Sequence, residues 1–196
     1  MNKYLFILLT LSMSFTNTSN DPEDRIGVPG PLTFNKTTFN ISWTDKPTDT
    51  YYIQEYLPAG ENIEKFHQML TLHLNDRDIE LKDVVKQKVD ELNNRKKTDP
   101  TCNFRVNENP GAKEFMLDFI LGESHGDKMT IVEFNIYRYK QVDLDDKKKG
   151  ILVYAYSKRA YSDEITPFYK KLKNERTDLL NAMINSEIPA VKIAGK

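Results

Sequence analysis

The chain has 196 residues, of which 39% are hydrophobic, 11% aromatic and 29% charged, and its formal net charge is −1 at pH 7. This length and composition are typical of one soluble domain with a substantial core, preceded by a leader. The near-zero charge disfavours a dedicated nucleic-acid-binding protein, which normally has a clear basic excess. Cys102 is the single cysteine, so the composition excludes an internal disulfide.

The N-terminal stretch predicts export. Residues 1–15 contain one lysine, an apolar run and then small polar residues, which is typical of a secretory signal peptide. The run is too short for a membrane anchor, and we expect no transmembrane segment after cleavage and a secreted or periplasmic protein. The predicted organisation is a signal peptide (1–19), a flexible tether (20–33), one α+β domain (34–189) and a C-terminal tail (190–196).

The first half of the domain alternates between strand and helix patterns. Apolar residues recur with a period of two in Phe39, Ile41 and Trp43, and at helical spacing in Ile63 and Phe66. The aromatic and β-branched run 51–57 also predicts a strand. The predicted elements are strands near 39–43, 51–57 and 69–74, a short helix over 61–67 and a longer helix over 79–95.

The second half predicts four strands and a terminal helix. The strands are predicted near 102–106, 115–121, 129–142 and 151–157. Thr166 is placed to cap a helix that has Pro167 at its first position and that continues to about Glu187. Hairpin succession of these strands predicts a mostly antiparallel sheet. Because residues 151–156 are apolar on both faces, we expect helices packed on both faces of that sheet.

The stretch Tyr56-Leu57-Pro58-Ala59-Gly60, the helix that bears Phe66 and the following Met69-Leu70-Thr71 resemble secreted bacterial proteins of the PsbP-like family. The later antiparallel strands and the long last helix extend the resemblance over about residues 34–189. It implies an α/β/α sandwich and an accessory or binding role. No catalytic residue carries over, because the matched positions are structural.

Asn17, Asn35 and Asn40 begin N-x-S/T sequons, which would carry glycans only in a eukaryotic secretory pathway.

One catalytic motif match is rejected on context. Residues 122–126, GESHG, fit the G-x-S-x-G nucleophile elbow, in which a strand precedes the serine and a helix follows it. Here the residues after the motif alternate as a strand. The motif also needs a histidine later in the chain to act as the base. The only histidine after the serine is His125, its immediate neighbour, which is badly placed for that role. A hairpin loop is favoured.

Two sets of potential metal ligands are also better explained without a metal. His67 and His73 match no closed zinc pattern, and we expect both to be solvated. Asp143, Asp145 and Asp146 lack the spacing of a calcium-binding loop, and the lysines that follow favour a solvated turn. No metal and no cofactor is therefore expected.

An acidic pair is possible in the central hairpin. If the two strands register suitably, Asp118 and Glu133 could face each other, and close carboxylates can do general acid and base chemistry. Structural ion pairs with neighbouring lysine or arginine residues are the commoner outcome and are favoured.

The last two strands carry an aromatic and basic cluster. The residues predicted to form a binding surface are Tyr137, Tyr139, Tyr154, Tyr156 and Arg159. Tyrosine combines apolar area with a hydroxyl, which suits contact with a protein or a glycan. The alternative, favoured because aromatic residues at strand spacing usually pack, buries Tyr154 and Tyr156 under the last helix.

The predicted function is a secreted or periplasmic binding or accessory module without cofactor or catalytic residues. Its partner would be a protein or glycan of the cell envelope, and no nucleic acid is expected. Two alternatives stay open, namely a hydrolase-type or other enzyme that uses Asp118 and Glu133, and a structural envelope protein without a ligand. An enzyme would need a pocket where carboxylates converge, whereas a binding module would expose its tyrosines.

Overall fold

The computed structural model describes residues 22–109, 111, 113–144 and 148–193. The predicted signal peptide, and Asp145 and Asp146 of the acidic loop, lie outside these residues. The strands are β1 (Leu32–Phe34), β2 (Thr37–Thr48), β3 (Tyr51–Leu57), β4 (Gln68–Asn75), β5 (Asn103–Asn109), β6 (Glu114–His125), β7 (Lys128–Asp143) and β8 (Lys149–Tyr161). The helices are α1 (Leu81–Arg95), a 3-10 turn (Ser162–Glu164) and α2 (Ile165–Asn185).

The eight strands form one curled antiparallel sheet, a half-barrel, in the order β1-β2-β3-β4-β8-β7-β6-β5. The last strand of the chain, β8, lies in the middle of this sheet between β4 and β7. Its register places Leu72 of β4 and Arg138 of β7 on either side of Tyr154. Because side chains alternate along each strand, this register determines which residues lie on each face of the sheet.

The main apolar core lies on the face that bears Leu72 and Tyr154, which we call the core face. Leu70, Leu72 and Leu74 are fully buried there, because the period of two along β4 points all three the same way. The helix α2 packs on this core through Phe168, Leu172, Leu179 and Met183.

A smaller apolar cluster lies on the opposite face, which we call the groove face. The side chains of α1 in this cluster are Leu81, Val85 and Leu92. They pack with Leu117, Phe119, Tyr139, Ile151 and Val153 of β6, β7 and β8. The cluster contains no side chain from β2, β3 or β4, so α1 covers part of one side of the sheet.

The predicted α/β/α sandwich with helices packed on both faces is wrong. The described residues form an eight-stranded half-barrel with two α-helices, and these do not make a helical layer on each face. The two-sided apolar character of β8, which suggested that arrangement, has another cause. This strand is central, so the side chains of β4 and β7 flank it on both faces, and each helix covers only part of the sheet.

The short helix predicted over 61–67 is also wrong. The chain bends there without a helix, because side-chain oxygens take up backbone N–H groups that a helix would have used. Asn62 Oδ1 accepts from the backbone of Glu64 and Lys65 at 3.1 and 2.9 Å. Glu61 Oε2 accepts from the backbone of His67 at 2.6 Å.

Hydrogen bonds from Arg138 hold the C-terminal end of α2 on the core face. Arg138 donates to the carbonyls of Met183 and Ser186 at 3.0 and 2.8 Å, which satisfies acceptors at the C-terminal end of this helix. The same guanidinium binds Glu114 at 2.7 Å. The helix begins at Ile165, before the expected cap Thr166.

Candidate binding groove

The structure does not bring the predicted tyrosines together. Tyr154 and Tyr156 lie on the core face and are 2% and 1% exposed, so they belong to the core, as the alternative interpretation held. Tyr139 lies on the groove face but is also buried. Tyr137 is half-buried on that face, and Arg159 lies on the same side. The exposed patch of four tyrosines therefore does not form.

The predicted carboxylate pair does not form either. Asp118 lies opposite Ile136, which places it on the core face, where Arg176 of α2 binds it. Glu133 is three residues from Ile136, so it points to the groove face, where it lies opposite Arg159. The two carboxylates lie on opposite sides of the sheet. The G-x-S-x-G stretch is a hairpin, as predicted, with a turn between His125 and Lys128.

A β-bulge in β2 changes which face Trp43 occupies. Ile41 lies opposite Tyr56 and packs on the core face, but the register shifts before Trp43, which lies opposite Glu55 on the groove face. The extra residue at the bulge is Ser42, and a single extra residue exchanges the two faces of a strand. The only tryptophan of the chain is therefore half-buried and belongs to none of the apolar clusters.

Five groove-face residues form one row across adjacent strands. In order from β2 to β7 they are Trp43, Glu55, Thr71, Ala155 and Tyr137. Thr71 and Ala155 are small and buried, whereas their larger neighbours in the row are half-buried. The small residues therefore form a floor about 14 Å across, since three strand spacings separate the backbones of Glu55 and Tyr137.

We call this part of the sheet surface the sheet-face groove and define it by Trp43, Glu55, Thr71, His73, Glu133, Tyr137, Ala155 and Arg159. Phe66 borders it near Arg159, and Lys88 of α1 borders it near Tyr137. All of these side chains come from the groove face, so the groove is distinct from the core under α2.

Glu55 is the most unusual group in the groove. Within the described residues, no hydrogen bond or ion pair engages its carboxyl group. Burial raises the pKa of Glu55 to about 7, with Arg159 opposing that rise and Glu133 adding to it. The side chain is desolvated while still half-accessible, which is the environment of a crevice.

Aromatic rings line the groove beside Glu55. The His73 ring is parallel to the Tyr51 ring, and their centres are 6.1 Å apart. The centres of the His73 and Tyr137 rings are also 6.1 Å apart. The Tyr51 hydroxyl and His73 Nδ1 are 2.9 Å apart in a hydrogen bond. Burial, with a smaller effect of Lys88, lowers the pKa of His73 to about 4, so this ring is neutral at pH 7. The expectation that His73 is solvated is wrong.

A hydrogen-bonded chain of polar residues forms one end of the groove. Arg159 binds Glu133 Oε2 at 2.6 Å through both Nε and Nη2, and its guanidinium lies 4.1 Å from the centre of the Phe66 ring. Asn135 donates to Glu133 Oε1 at 3.1 Å, and Ser157 donates to Asn135 at 2.7 Å. These groups satisfy one another and hold that end rigid.

The helix α1 contributes a cation and a carboxylate to the Tyr137 side of the groove. The Lys88 ammonium lies 5.4 Å from the Phe119 ring centre and 5.7 Å from that of Tyr137. It also pairs with Glu91 at 3.2 Å. The ring face of Tyr137 thus already interacts with one ammonium group.

A concavity of about 320 Å³ lies beside α2 on the core face. Its lining residues are Asn35, Gln68, Tyr156, Lys158, Lys171, Glu175, Asp178 and Leu179. Most of its polar groups are paired with each other, since Lys158 binds Glu175 at 2.6 Å and Tyr156 donates to Gln68 at 2.9 Å. It offers less for a ligand than the groove does.

Sequence reasoning identified Tyr137 and Arg159 but missed Trp43, Glu55 and His73 as members of one site. The bulge that turns Trp43 has no signature in the alternation of β2. A glutamate within a strand normally marks its solvent side, so nothing local identifies Glu55 as desolvated.

Among the described residues, no three histidine, cysteine, aspartate or glutamate side chains are grouped to hold a metal ion. In the same part of the chain, neither helix combines the length and apolar character needed to cross a membrane.

A protein-family model matches residues 26–188, which is most of the chain. The family is an uncharacterised one, and the match gives no support to the resemblance to PsbP-like proteins. No curated protein and no solved structure matches the chain.

Proposed function

For this chain, which belongs to the uncharacterised family matched by residues 26–188, we propose a function as a secreted or periplasmic binding module. Its ligand, a component of the cell envelope, occupies the sheet-face groove. The observation that carries the proposal is the Glu55 carboxyl, which is desolvated and has no partner within the described residues. A half-buried carboxyl without a protein partner is only partly hydrated, and a ligand that donates hydrogen bonds to it can replace the hydration it lacks.

The surroundings of Glu55 support a binding role. A groove with apolar and aromatic walls and a few convergent polar groups is the usual form of a ligand site. Here Glu55, with Trp43 beside it, stands at one end of a floor of small residues, and Tyr137 stands at the other end. The hydrogen-bonded Arg159–Glu133 pair holds one end in place, so binding requires little rearrangement.

An enzyme that uses Glu55 and Glu133 is the second candidate. The two carboxyls share a face, and the charge of Glu133 contributes to the raised pKa of Glu55, which is the pattern of an acid paired with a base. However, Arg159 and Asn135 occupy both oxygens of Glu133. Because both oxygens of the base in such a pair are already hydrogen-bonded, the groove supports binding better than catalysis.

The direct test is a screen of envelope-derived small molecules and glycan fragments against the full chain, with fluorescence of the single tryptophan, Trp43, as the signal. A bound ligand in the groove changes the polarity around Trp43 and its emission. The variants Glu55→Gln and Tyr137→Ala should weaken binding at least tenfold while leaving the fold intact by circular dichroism.

Matched controls separate the groove from general surface effects. Glu187→Gln and Tyr169→Ala change the same residue types at exposed positions near or on α2. A ligand that these controls weaken as much as the groove variants do would contradict the proposal. So would a screen in which no ligand changes Trp43 emission. Turnover of a bound ligand that Glu133→Gln abolishes would favour the enzyme instead.

The proposal of export has its own test. It is supported by the signal-peptide pattern of residues 1–15. Expression of the full chain in a bacterial host, followed by fractionation and mass measurement, should give a periplasmic or secreted product that has lost about the first 19 residues. An uncleaved chain that starts at Met1 in the cytosol would contradict export.

A further inference from the structure

We infer that the sheet-face groove binds a positively charged group, an amine or a quaternary ammonium, which sits against the carboxyl of Glu55 and the neighbouring aromatic rings. This inference rests on the proposed function, because it names the chemical class of the ligand for the same groove. Two independent features carry it, the charge balance of the groove and the arrangement of its rings.

The groove has more carboxylates than cations. Besides Asp45 at the rim, three carboxyls, those of Glu55, Glu91 and Glu133, lie around it, together with two cations, Lys88 and Arg159. Each cation already has a carboxylate partner, at 3.2 Å for Lys88 and 2.6 Å for Arg159. Glu55 is the carboxyl left over. A ligand with one positive charge completes the pairing, whereas an anionic ligand would add to the repulsion.

Among the described residues of β2, β3, β4 and β7, no group that faces the groove is a cation. On β2, Asp45 lies opposite Ile53 on the same face and adds negative charge at the rim. On β3 and β4, Tyr51 and His73 are uncharged at pH 7, since burial raises the pKa of Tyr51 to about 12 and lowers that of His73 to about 4. Tyr137 of β7 is likewise a neutral phenol, because burial raises its pKa.

The rings around Glu55 suit a cation. Trp43 is its direct cross-strand neighbour, and the His73 and Tyr137 rings follow across the groove. Aromatic faces attract ammonium groups, and tryptophan does so most strongly. The groove already contains one such contact, in which the Lys88 ammonium lies over Phe119 and Tyr137. The Trp43 side, next to the unpaired carboxyl, has no comparable contact within the described residues.

Binding of a cation also couples to proton release. A cation prefers the ionised carboxylate, and the pKa of Glu55 in the free protein is about 7. Below that pH most of the protein must lose a proton before it binds, so affinity should increase with pH and level off above 8. For one site with this pKa, the ionised fraction increases from about a tenth at pH 6 to about nine-tenths at pH 8. The dissociation constant should therefore fall about tenfold over that range.

The experiment is a titration of the full chain with choline, n-butylamine and 3,3-dimethylbutan-1-ol, the last of which has the shape of choline without its charge. Trp43 emission and ligand-observed NMR report binding at pH 6, 7 and 8. We expect choline or the amine to bind at least tenfold more tightly than the neutral alcohol. The dissociation constant of the cationic ligand should fall about tenfold from pH 6 to pH 8 in the native chain and stay constant in Glu55→Gln. Glu187→Gln should behave like the native chain.

Failure of the inference differs from failure of the proposed function. Equal binding of choline and the neutral alcohol would overturn the cation inference, as would an affinity that does not depend on pH. A neutral oligosaccharide whose binding needs Tyr137, with no binding of the cations, would overturn the inference and leave the groove as the binding site. If no ligand of any charge class changes Trp43 emission or binds by NMR, both are overturned.

Discussion

Replacing Glu55 by glutamine should stabilise the protein at high pH and have little effect at low pH. The pKa of this carboxyl is raised from 4.5 to about 7 in the folded chain. The folded protein therefore holds a proton that the unfolded chain loses between pH 4.5 and pH 7, and the free energy of unfolding decreases over that interval as pH rises. Glutamine resembles the neutral acid in size and hydrogen bonding and does not ionise.

The expected size follows from the shift. A difference of about 2.5 pKa units corresponds to about 3 kcal/mol, so Glu55→Gln should gain about that much over the native chain as the pH rises from 4.5 to 8.5. Urea denaturation of both proteins at the two pH values measures this gain. Taking the difference between variant and native chain cancels every other titrating group. Glu187→Gln, at an exposed position, should show no such gain.

A gain of less than about 0.5 kcal/mol would refute the reasoning, because that is the range of ordinary surface substitutions. It would mean that water reaches the Glu55 carboxyl freely. The groove would then lack the desolvated acid on which the proposed function depends.

Three further substitutions test other contacts. Because burial lowers the pKa of His73 from 6.5 to about 4, the native chain should lose about 3 kcal/mol relative to His73→Asn between pH 7.5 and pH 4, by urea denaturation; a constant difference would show that the ring is solvated. Arg159→Ala leaves Glu133 without its cation in a half-buried site and should cost about 2 kcal/mol at pH 7; adding Glu133→Gln should recover most of it, and simple additivity would contradict the pairing. Arg138→Gln removes the donor to two carbonyls at the end of α2 and should cost about 2 kcal/mol; hydrogen exchange should speed up in the last turn of that helix, and unchanged protection would contradict this capping role.

Much of the fold follows from the period of the apolar residues. The strands near 51–57, 69–74 and 151–157 and the helices α1 and α2 lie where that period predicts them. The layering does not follow from this period, because a central strand and a strand between two helical layers have the same apolar pattern on both faces. Helical spacing also misled at 61–67, where side chains of Glu61 and Asn62 bind the backbone instead.

The site was harder to predict than the fold, because its members meet through strand register. One residue decides which face a side chain occupies, so Asp118 and Glu133 could be placed together only by assuming a register. The bulge at Ser42 moves Trp43 beside Glu55, and no local pattern shows it. Tyr137 and Arg159 could be identified because they lie on one continuous strand pair, β7 and β8.

The position of β8 has a consequence for synthesis of the chain. As the polypeptide emerges, β2, β3 and β4 can pair in succession, and so can β5, β6 and β7, but β4 and β7 become neighbours of β8 only when the last strand is complete. Until then the nascent chain has two separate sheets, each with an unpaired apolar strand at its edge, which is a template for aggregation. A product truncated before residue 149 would keep both edges permanently. Such fragments should accumulate as insoluble protein or be degraded, even though they contain all of the strands from β1 to β7.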